Sequence, residues 1–375
     1  MKTIENILNI SDDTMARIIS QLPCRPSDAC FFDIETTGLS PKVSSVYLIG
    51  AVSIIEDKAR LTQFFADDYK SEEALLTAFS DYLRDCTHVV HFNGTTFDIP
   101  YLEKKYAEYH LASPFIKIES IDIYKRIRSF RPKKKDKNAP PSYFPTENLK
   151  LVTMEKHLGF DRGEDVSGKD CIEVYARYMQ YKYAHNDTEA GKLLTDMLSH
   201  NHDDLMGTAL CTQLLMYTDH IAGDCSCKIT DECAIFTDML PDGLTYPFEL
   251  SYSVALVEGH VLIAYKLNKL EINIPIIHDT LYHYFPDYKN YFYLPDEDMA
   301  IHKSVGTYVD KDHREQATAK NCYIKKTGAF LPLPAKAAPD GQPIFTDPAT
   351  GATFIAIETD TDIDTNSLIH QCLIS

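Results

Sequence analysis

Asp33 and Glu35 stand one residue apart at the end of an apolar run, Phe31-Phe32-Asp33-Ile34-Glu35-Thr36-Thr37-Gly38-Leu39, that closes in a glycine turn. On a strand, positions i and i+2 point to the same face, so the two carboxylates lie side by side. Crowded carboxylates repel each other and pay for lost solvation unless a cation joins them. All-oxygen donor sets suit Mg²⁺ or Mn²⁺. An Asp-x-Glu pair also occurs on solvated strands, where it does no chemistry.

Three further pieces follow in fixed order. Residues His88 to Leu102 read as a strand ending in the turn Asn93-Gly94, then a helix whose first turn carries Pro100, a position that tolerates a missing N–H. Asp98 therefore lies near a helix N-terminus, where Asp is frequently no more than an N-cap. Between Glu189 and Tyr217, apolar residues recur at helical spacing. Within that run, His200-Asn201-His202-Asp203-Asp204 places His200 and Asp204 four apart on one face.

Asp-x-Glu, then Asn-Gly-x-x-Phe-Asp-x-Pro, then an aromatic residue or His followed at short range by Asp, resembles the DEDD superfamily of 3′→5′ exonucleases on a ribonuclease H-like fold. Within it, the chain is similar to the bacterial YprB-like group of predicted nucleases. Asn148-Leu149-Lys150-Leu151, Leu158-Gly159-Phe160-Asp161-Arg162 and Asp165-Val166-Ser167-Gly168 resemble the stretch joining the second and last acidic motifs there. The resemblance spans about residues 27 to 218. It implies that Asp33, Glu35, Asp98 and Asp204 hold two divalent ions, Mg²⁺ or Mn²⁺, about 3.5–4 Å apart, with Asp33 bridging both. Substrate contacts are expected at Thr36 and Asn93.

One position departs from that pattern. The tyrosine subtype has Tyr four residues before the last Asp and the histidine subtype has His five before it, whereas His200 is four before Asp204. His200 is the expected water-orienting group, since imidazole accepts a proton near neutral pH; a polar helix residue is the alternative. Asp203 rivals Asp204 as last ligand. Leu205, the apolar residue after Asp204, favours Asp204.

The net charge of −18 argues against binding nucleic acid by bulk attraction. A polyanion must be gripped locally, and Lys125, Arg126, Arg128, Arg131, Lys133, Lys134, Lys135 and Lys137 crowd one short stretch near Pro132, Pro140 and Pro141. That stretch reads as a loop: Arg131, Lys133, Lys134 and Lys135 either grip substrate phosphates or are merely solvated. Met1 to Pro23 is mixed and polar and reads as an amphipathic helix start rather than an uninterrupted apolar segment, and nothing approaches the roughly 18 apolar residues of a membrane span. Ten cysteines without a secretory signal point to reduced thiols in the cytoplasm. Cys225, Cys227 and Cys233, with His220 upstream, match no common zinc spacing and read first as free thiols.

To position the acidic quartet, strands near 28–34, 45–56 and 60–66 should form an antiparallel meander. A helix from Ser71, the strand 87–92, the helix from Asp98, a strand near 114–123 and helices near 148–158, 168–183 and 189–217 complete an α/β, ribonuclease H-like mixed sheet flanked by helices. Residues 1–26 read as an N-terminal extension and 27–220 as the nuclease domain. Beyond it, Leu250–Val257 and His260–Lys266 flank a Glu258-Gly259 turn, a hairpin signal, with Leu270–Ile277 as a third strand. Residues 225–375 read as a mostly β domain of unknown role, in which Asp and Glu outnumber Lys and Arg about two to one. The expected activity is metal-dependent 3′→5′ hydrolysis of single-stranded RNA or DNA. A structure-specific endonuclease and a catalytically silent binding or scaffold protein are the alternatives.

Overall fold

The computed structural model describes residues 1–132, 142–162, 168–219, 224–255, 259–333 and 342–357, with side chains except at 168–172 and 224–225. The described residues form two compact units, 1–132 with 142–219, and 224–357.

The first unit is built on six strands, β1 (Lys2–Leu8), β2 (Ala29–Thr36), β3 (Val46–Ile55), β4 (Lys58–Phe65), β5 (His88–His91) and β6 (Glu119–Asp122), in the order β1-β4-β3-β2-β5-β6. The left half is antiparallel. β5 runs parallel to both β2 and β6, so the sheet is mixed. β2 is central and buried along nearly its whole length, which explains a near-continuous apolar run where a half-exposed strand would alternate.

Helices α1 (Asp12–Ser20), α2 (Glu72–Tyr82), α3 (Asp98–Glu108), α4 (Ile123–Ser129), α5 (Leu151–His157), α6 (Gly168–Tyr183), α7 (Asp187–Thr212) and α8 (Leu215–Thr218) flank this sheet. Cys30, Phe32 and Ile34 enter a core with Leu75, Leu76 and Phe79 of α2 and Leu102 and Tyr106 of α3. Asp33 and Glu35 lie on the opposite side of the pleat, where α7 approaches: Asn201 and Leu205 fill the space in front of Gly50, the β3 partner of Asp33.

Residues 1–26 do not stand outside this unit. β1 pairs antiparallel along β4 from Lys2↔Phe65 to Leu8↔Ala59, and Arg17 of α1 donates to Gln213 Oε1 at 2.8 Å. The expected helix start is a strand over Lys2–Leu8, with the helix only at Asp12–Ser20, because an edge strand joined mainly through its backbone needs no apolar alternation to mark it. The expected 114–123 strand is shorter, a 3₁₀ turn over Pro114–Lys117 preceding β6. The last long helix stops at Thr212.

The second unit is mostly β. β7 (Asp224–Ile229), β8 (Cys233–Met239), β9 (Leu250–Ala255), β10 (His260–Lys266) and β11 (Lys269–Pro275) form a sheet in the order β7-β8-β11-β10-β9. β12 (Ile277–Tyr284), β16 (Tyr323–Pro332), β17 (Ile344–Thr346) and β18 (Thr353–Ile357) close a small barrel around Leu281, Phe330, Phe345 and Phe354. β13 (Tyr291–Leu294), β14 (Met299–His302) and β15 (Glu315–Gln316) make a three-stranded sheet beside the short helix α9 (Lys303–Gly306). The expected hairpin is the β9–β10 pair and the third strand is β11. Among the described residues no helix is long and apolar enough to cross a membrane.

Candidate metal centre

Asp33, Glu35, Asp98 and Asp204 converge from β2, the start of α3 and the middle of α7. Asp98 is the first residue of its helix while Phe97 holds the N-cap position, so the capping alternative does not describe it. The backbone N–H groups of Asp98 itself and of Ile34 face its carboxylate and partly offset the effect of burial. Burial raises Asp33 well above the ordinary carboxylate range, and the charges of Asp204, Asp98 and Glu35 raise it further. Glu35 is driven up in the same way, by burial and then by Asp204 and Asp98. Burial pushes Asp98 up to about 7. Such a cluster calls for cations, and its carboxylate oxygens are the donors hard divalent ions take.

His200 Nε2 lies between two of the acids, 3.6 Å from Glu35 Oε1 and 3.4 Å from Asp204 Oδ2. One ligand atom from each of Glu35, His200 and Asp204 lies within 4.8 Å of the other two. Asp203 turns elsewhere, its Oδ1 2.9 Å from His202 Nδ1. Asp204 lines a cavity of about 390 Å³ together with Asp33, Phe92, Asn93, Tyr124, Lys150 and Leu151. Asp204→Asn is therefore expected to abolish any metal-dependent activity, and Asp203→Asn to leave it within about threefold, the usual size of a surface change of about 0.5 kcal/mol. Parallel cleavage assays of the two variants check this.

Two supporting arrangements have no signature in the sequence. Asn201, fully buried, donates from Nδ2 to Asp33 Oδ2 at 3.0 Å, and Gln63 donates from Nε2 to Asn201 Oδ1 and to the Leu198 carbonyl, each at 2.9 Å. A Cβ at Gly50 would overlap Asn201 and Leu205, so this position must be glycine for the amide to reach Asp33. On the other side, Arg162 donates from Nε to Glu155 Oε2 at 2.6 Å, from Nη2 to Glu155 Oε1, and from Nη1 to Asp204 Oδ1 at 2.5 Å. Glu155 is completely buried, and burial pushes its carboxyl up to about 6 against the opposing effect of Arg162. Gly207 on α7 leaves the room that the Glu155 carboxylate occupies.

The turn before Asp98 is held by a third network. Asn93 sits at φ 65, a left-handed conformation that asparagine tolerates better than most residues. Its N–H donates to Asp122 Oδ1 at 3.0 Å, and Thr95 Oγ1 donates to Asp122 Oδ2 at 2.5 Å. His91 Nδ1 accepts from the Gly94 N–H at 2.9 Å; burial lowers this imidazole to about 4, which keeps it neutral as an acceptor.

Of the expected substrate contacts, Asn93 lines the cavity. Thr36 is buried and its Oγ1 donates to the Gly38 carbonyl at 3.0 Å, a turn-closing bond. Arg131 is exposed and is not part of that lining. Lys133, Lys134 and Lys135 lie outside the described residues, as do His220 and the Cys225 side chain. Lys150 and the aromatic pair Phe92 and Tyr124, with ring centroids 5.5 Å apart, line the cavity unforeseen. Arg128 stands 6.0 Å from the Tyr124 ring.

Residues 30–216 match the family model described as RNase_H superfamily, and the unit that holds the acidic cluster is RNase H-like. A DNA polymerase III PolC-type from Mycoplasma pneumoniae (strain ATCC 29342 / M129 / Subtype 1) is 26% identical over 128 residues, which cover 28% of this chain and 9% of that protein. The match thus spans less than a tenth of that relative's length. The solved family B DNA polymerase from the hyperthermophilic archaeon Pyrobaculum calidifontis is 13% identical, with 91% of this chain and 41% of that chain covered and a TM-score of 0.34, too low to bear on fold or function.

Proposed function

We propose that this chain, whose residues 30–216 match the RNase_H superfamily, is a divalent-metal-dependent nuclease that hydrolyses single-stranded nucleic acid from the 3′ end. The observation that carries the reading is the convergence of four carboxylates beside a cavity whose other walls offer a cation and two aromatic rings. Asp33, Glu35, Asp98 and Asp204 would hold two ions, Mg²⁺ or Mn²⁺. Bound there, such ions lower the pKa of an attacking water and stabilise the charge that builds on the leaving oxygen. Asn201 and Arg162 keep Asp33 and Asp204 oriented, so that little reorganisation is left to the reaction.

Phe92 and Tyr124 suit a splayed base, because stacking on aromatic faces is open to any unpaired base, and Lys150 suits its phosphate. A duplex keeps its bases stacked on each other, which is why the rings favour single strands. The 3′→5′ direction rests on the resemblance to the DEDD exonucleases. The hold of Arg162 on Asp204 favours a second reading, a silent nucleic-acid-binding module in which the guanidinium replaces an ion.

The test is incubation with end-labelled single- and double-stranded RNA and DNA in Mg²⁺ or Mn²⁺. A ladder shortening from the 3′ end of single strands is expected. Internal cuts would convert the reading to an endonuclease, and retention of substrate without cleavage in either ion would leave the silent module.

A further inference from the structure

We infer that His200 is itself a ligand of one of the ions, joined by Glu35 and Asp204, and that this nitrogen selects a first-row transition ion such as Mn²⁺ over Mg²⁺. The inference rests on the reading of the acidic cluster as a metal centre and goes beyond it in assigning the imidazole to the coordination sphere. Separations of 3.4 Å and 3.6 Å from His200 Nε2 to Asp204 Oδ2 and Glu35 Oε1 are longer than an ordinary N–H···O hydrogen bond of about 2.7–3.2 Å. They are close to the separation of neighbouring ligands on one ion. Two donors about 2.1–2.2 Å from a metal, at right angles or somewhat wider, stand roughly 3.0–3.5 Å apart.

A base acting on a bound water would stand a further hydrogen bond, about 2.6–3.2 Å, beyond that water, and not among the carboxylates. The orientation of Asp204 agrees with an ion in this position. Arg162 engages its Oδ1, and Oδ2 is the oxygen presented to His200. The helical spacing does the rest, since residues four apart on α7 lie one turn above the other and project to one point. One nitrogen with carboxylate oxygens is a donor set that Mg²⁺, which prefers oxygen and near-ideal octahedral geometry, satisfies poorly. The spacing of four, where the histidine exonucleases have five, thus acquires a chemical meaning.

Mn²⁺ alone, added to the full-length, metal-stripped protein, is the probe. Pulsed electron paramagnetic resonance of the wild type should show ¹⁴N modulation from a directly bound imidazole, and His200→Ala should lose it. Calorimetry should show Mn²⁺ affinity falling in that variant by at least the ~10- to 100-fold that even an outer-sphere partner costs, with Mg²⁺ affinity changed by less than about threefold, as for loss of a group it does not use. Mn²⁺ bound to the wild type without ¹⁴N modulation overturns the inference and leaves the metal centre standing, with His200 free to orient water. Failure of the wild type to bind Mn²⁺ at all overturns the metal centre too.

Discussion

Asp33→Asn is expected to lower nuclease turnover by at least about 10³-fold, at the upper end of what loss of one group stabilising transition-state charge costs, while raising the melting temperature of the protein freed of divalent ions. Asp33 is the member of the cluster raised by burial and by all three other acids at once. Replacing it with an isosteric amide keeps the shape and removes a buried charge that the other acids crowd and that the Asn201 amide offsets only in part. The same physics sets a pH dependence. Asp33, Glu35 and Asp98 all have folded-state values above their unfolded ones, Asp98 at about 7. Protonation of the folded cluster therefore contributes stability that is complete below about pH 4 and that, for Asp98, is lost as pH rises through about 7. Melting scans in chelator should give a lower midpoint at pH 8 than at pH 5, a smaller difference for the variant, and recovery of the wild type at pH 8 when Mn²⁺ is supplied. A variant that melts lower than the wild type at pH 8 in chelator would contradict the crowding of charge on which the site rests.

Glu155→Ala is the second substitution with a large expected effect, and its effect is on the fold first. The buried guanidinium of Arg162 would keep its partial hold on Asp204 and lose both bonds to Glu155. Breaking one side of a buried ion pair costs about 3–5 kcal/mol because the surviving charge is left uncompensated. Urea unfolding should report that loss. Replacing both partners with apolar residues, Glu155→Leu with Arg162→Met, should restore most of the stability, as such exchanges of buried pairs often do. It should not restore Mn²⁺ affinity, since Asp204 would have lost the group that fixes its Oδ1. If the double variant binds Mn²⁺ as the wild type does, Arg162 serves the fold alone.

What the chain disclosed from its letters was whatever depends on local period. Asp33 and Glu35 were legible because a strand repeats every two residues, and Asp98 because Pro100 marks a helix start. The mixed sheet and the mostly β second unit followed from apolar runs and turn residues. Asp203 and Asp204 could not be separated by period alone: neighbours on a helix diverge by about 100°, and their directions depend on how α7 is rotated against the sheet. That rotation is fixed by contacts such as Asn201 with Gln63, residues 138 positions apart in the chain. Glu155 with Arg162, and Asp122 with Asn93 and Thr95, were hidden for a related reason, since each is an ordinary polar residue until folding supplies its partner. Lys150 belongs to the Asn148-Leu149-Lys150-Leu151 motif, but its place in the cavity wall depends on how the start of α5 meets the turn after β5.

Gly50 and Gly207 bear on how a mutational scan of this protein would read. Alanine is ordinarily the mildest replacement for glycine in a strand or a helix, and scans built on truncating side chains pass over glycines altogether. Here each glycine is the vacant half of a polar pair: the missing methyl at 50 is where the Asn201 amide rests, and the missing methyl at 207 is where the Glu155 carboxylate rests. One added carbon at either place would displace a group that steadies Asp33 or Asp204. Intolerance mapped along the chain should therefore peak at two residues that contribute no functional group at all, and homologues that differ at 50 or 207 should differ at 201 or 155 as well.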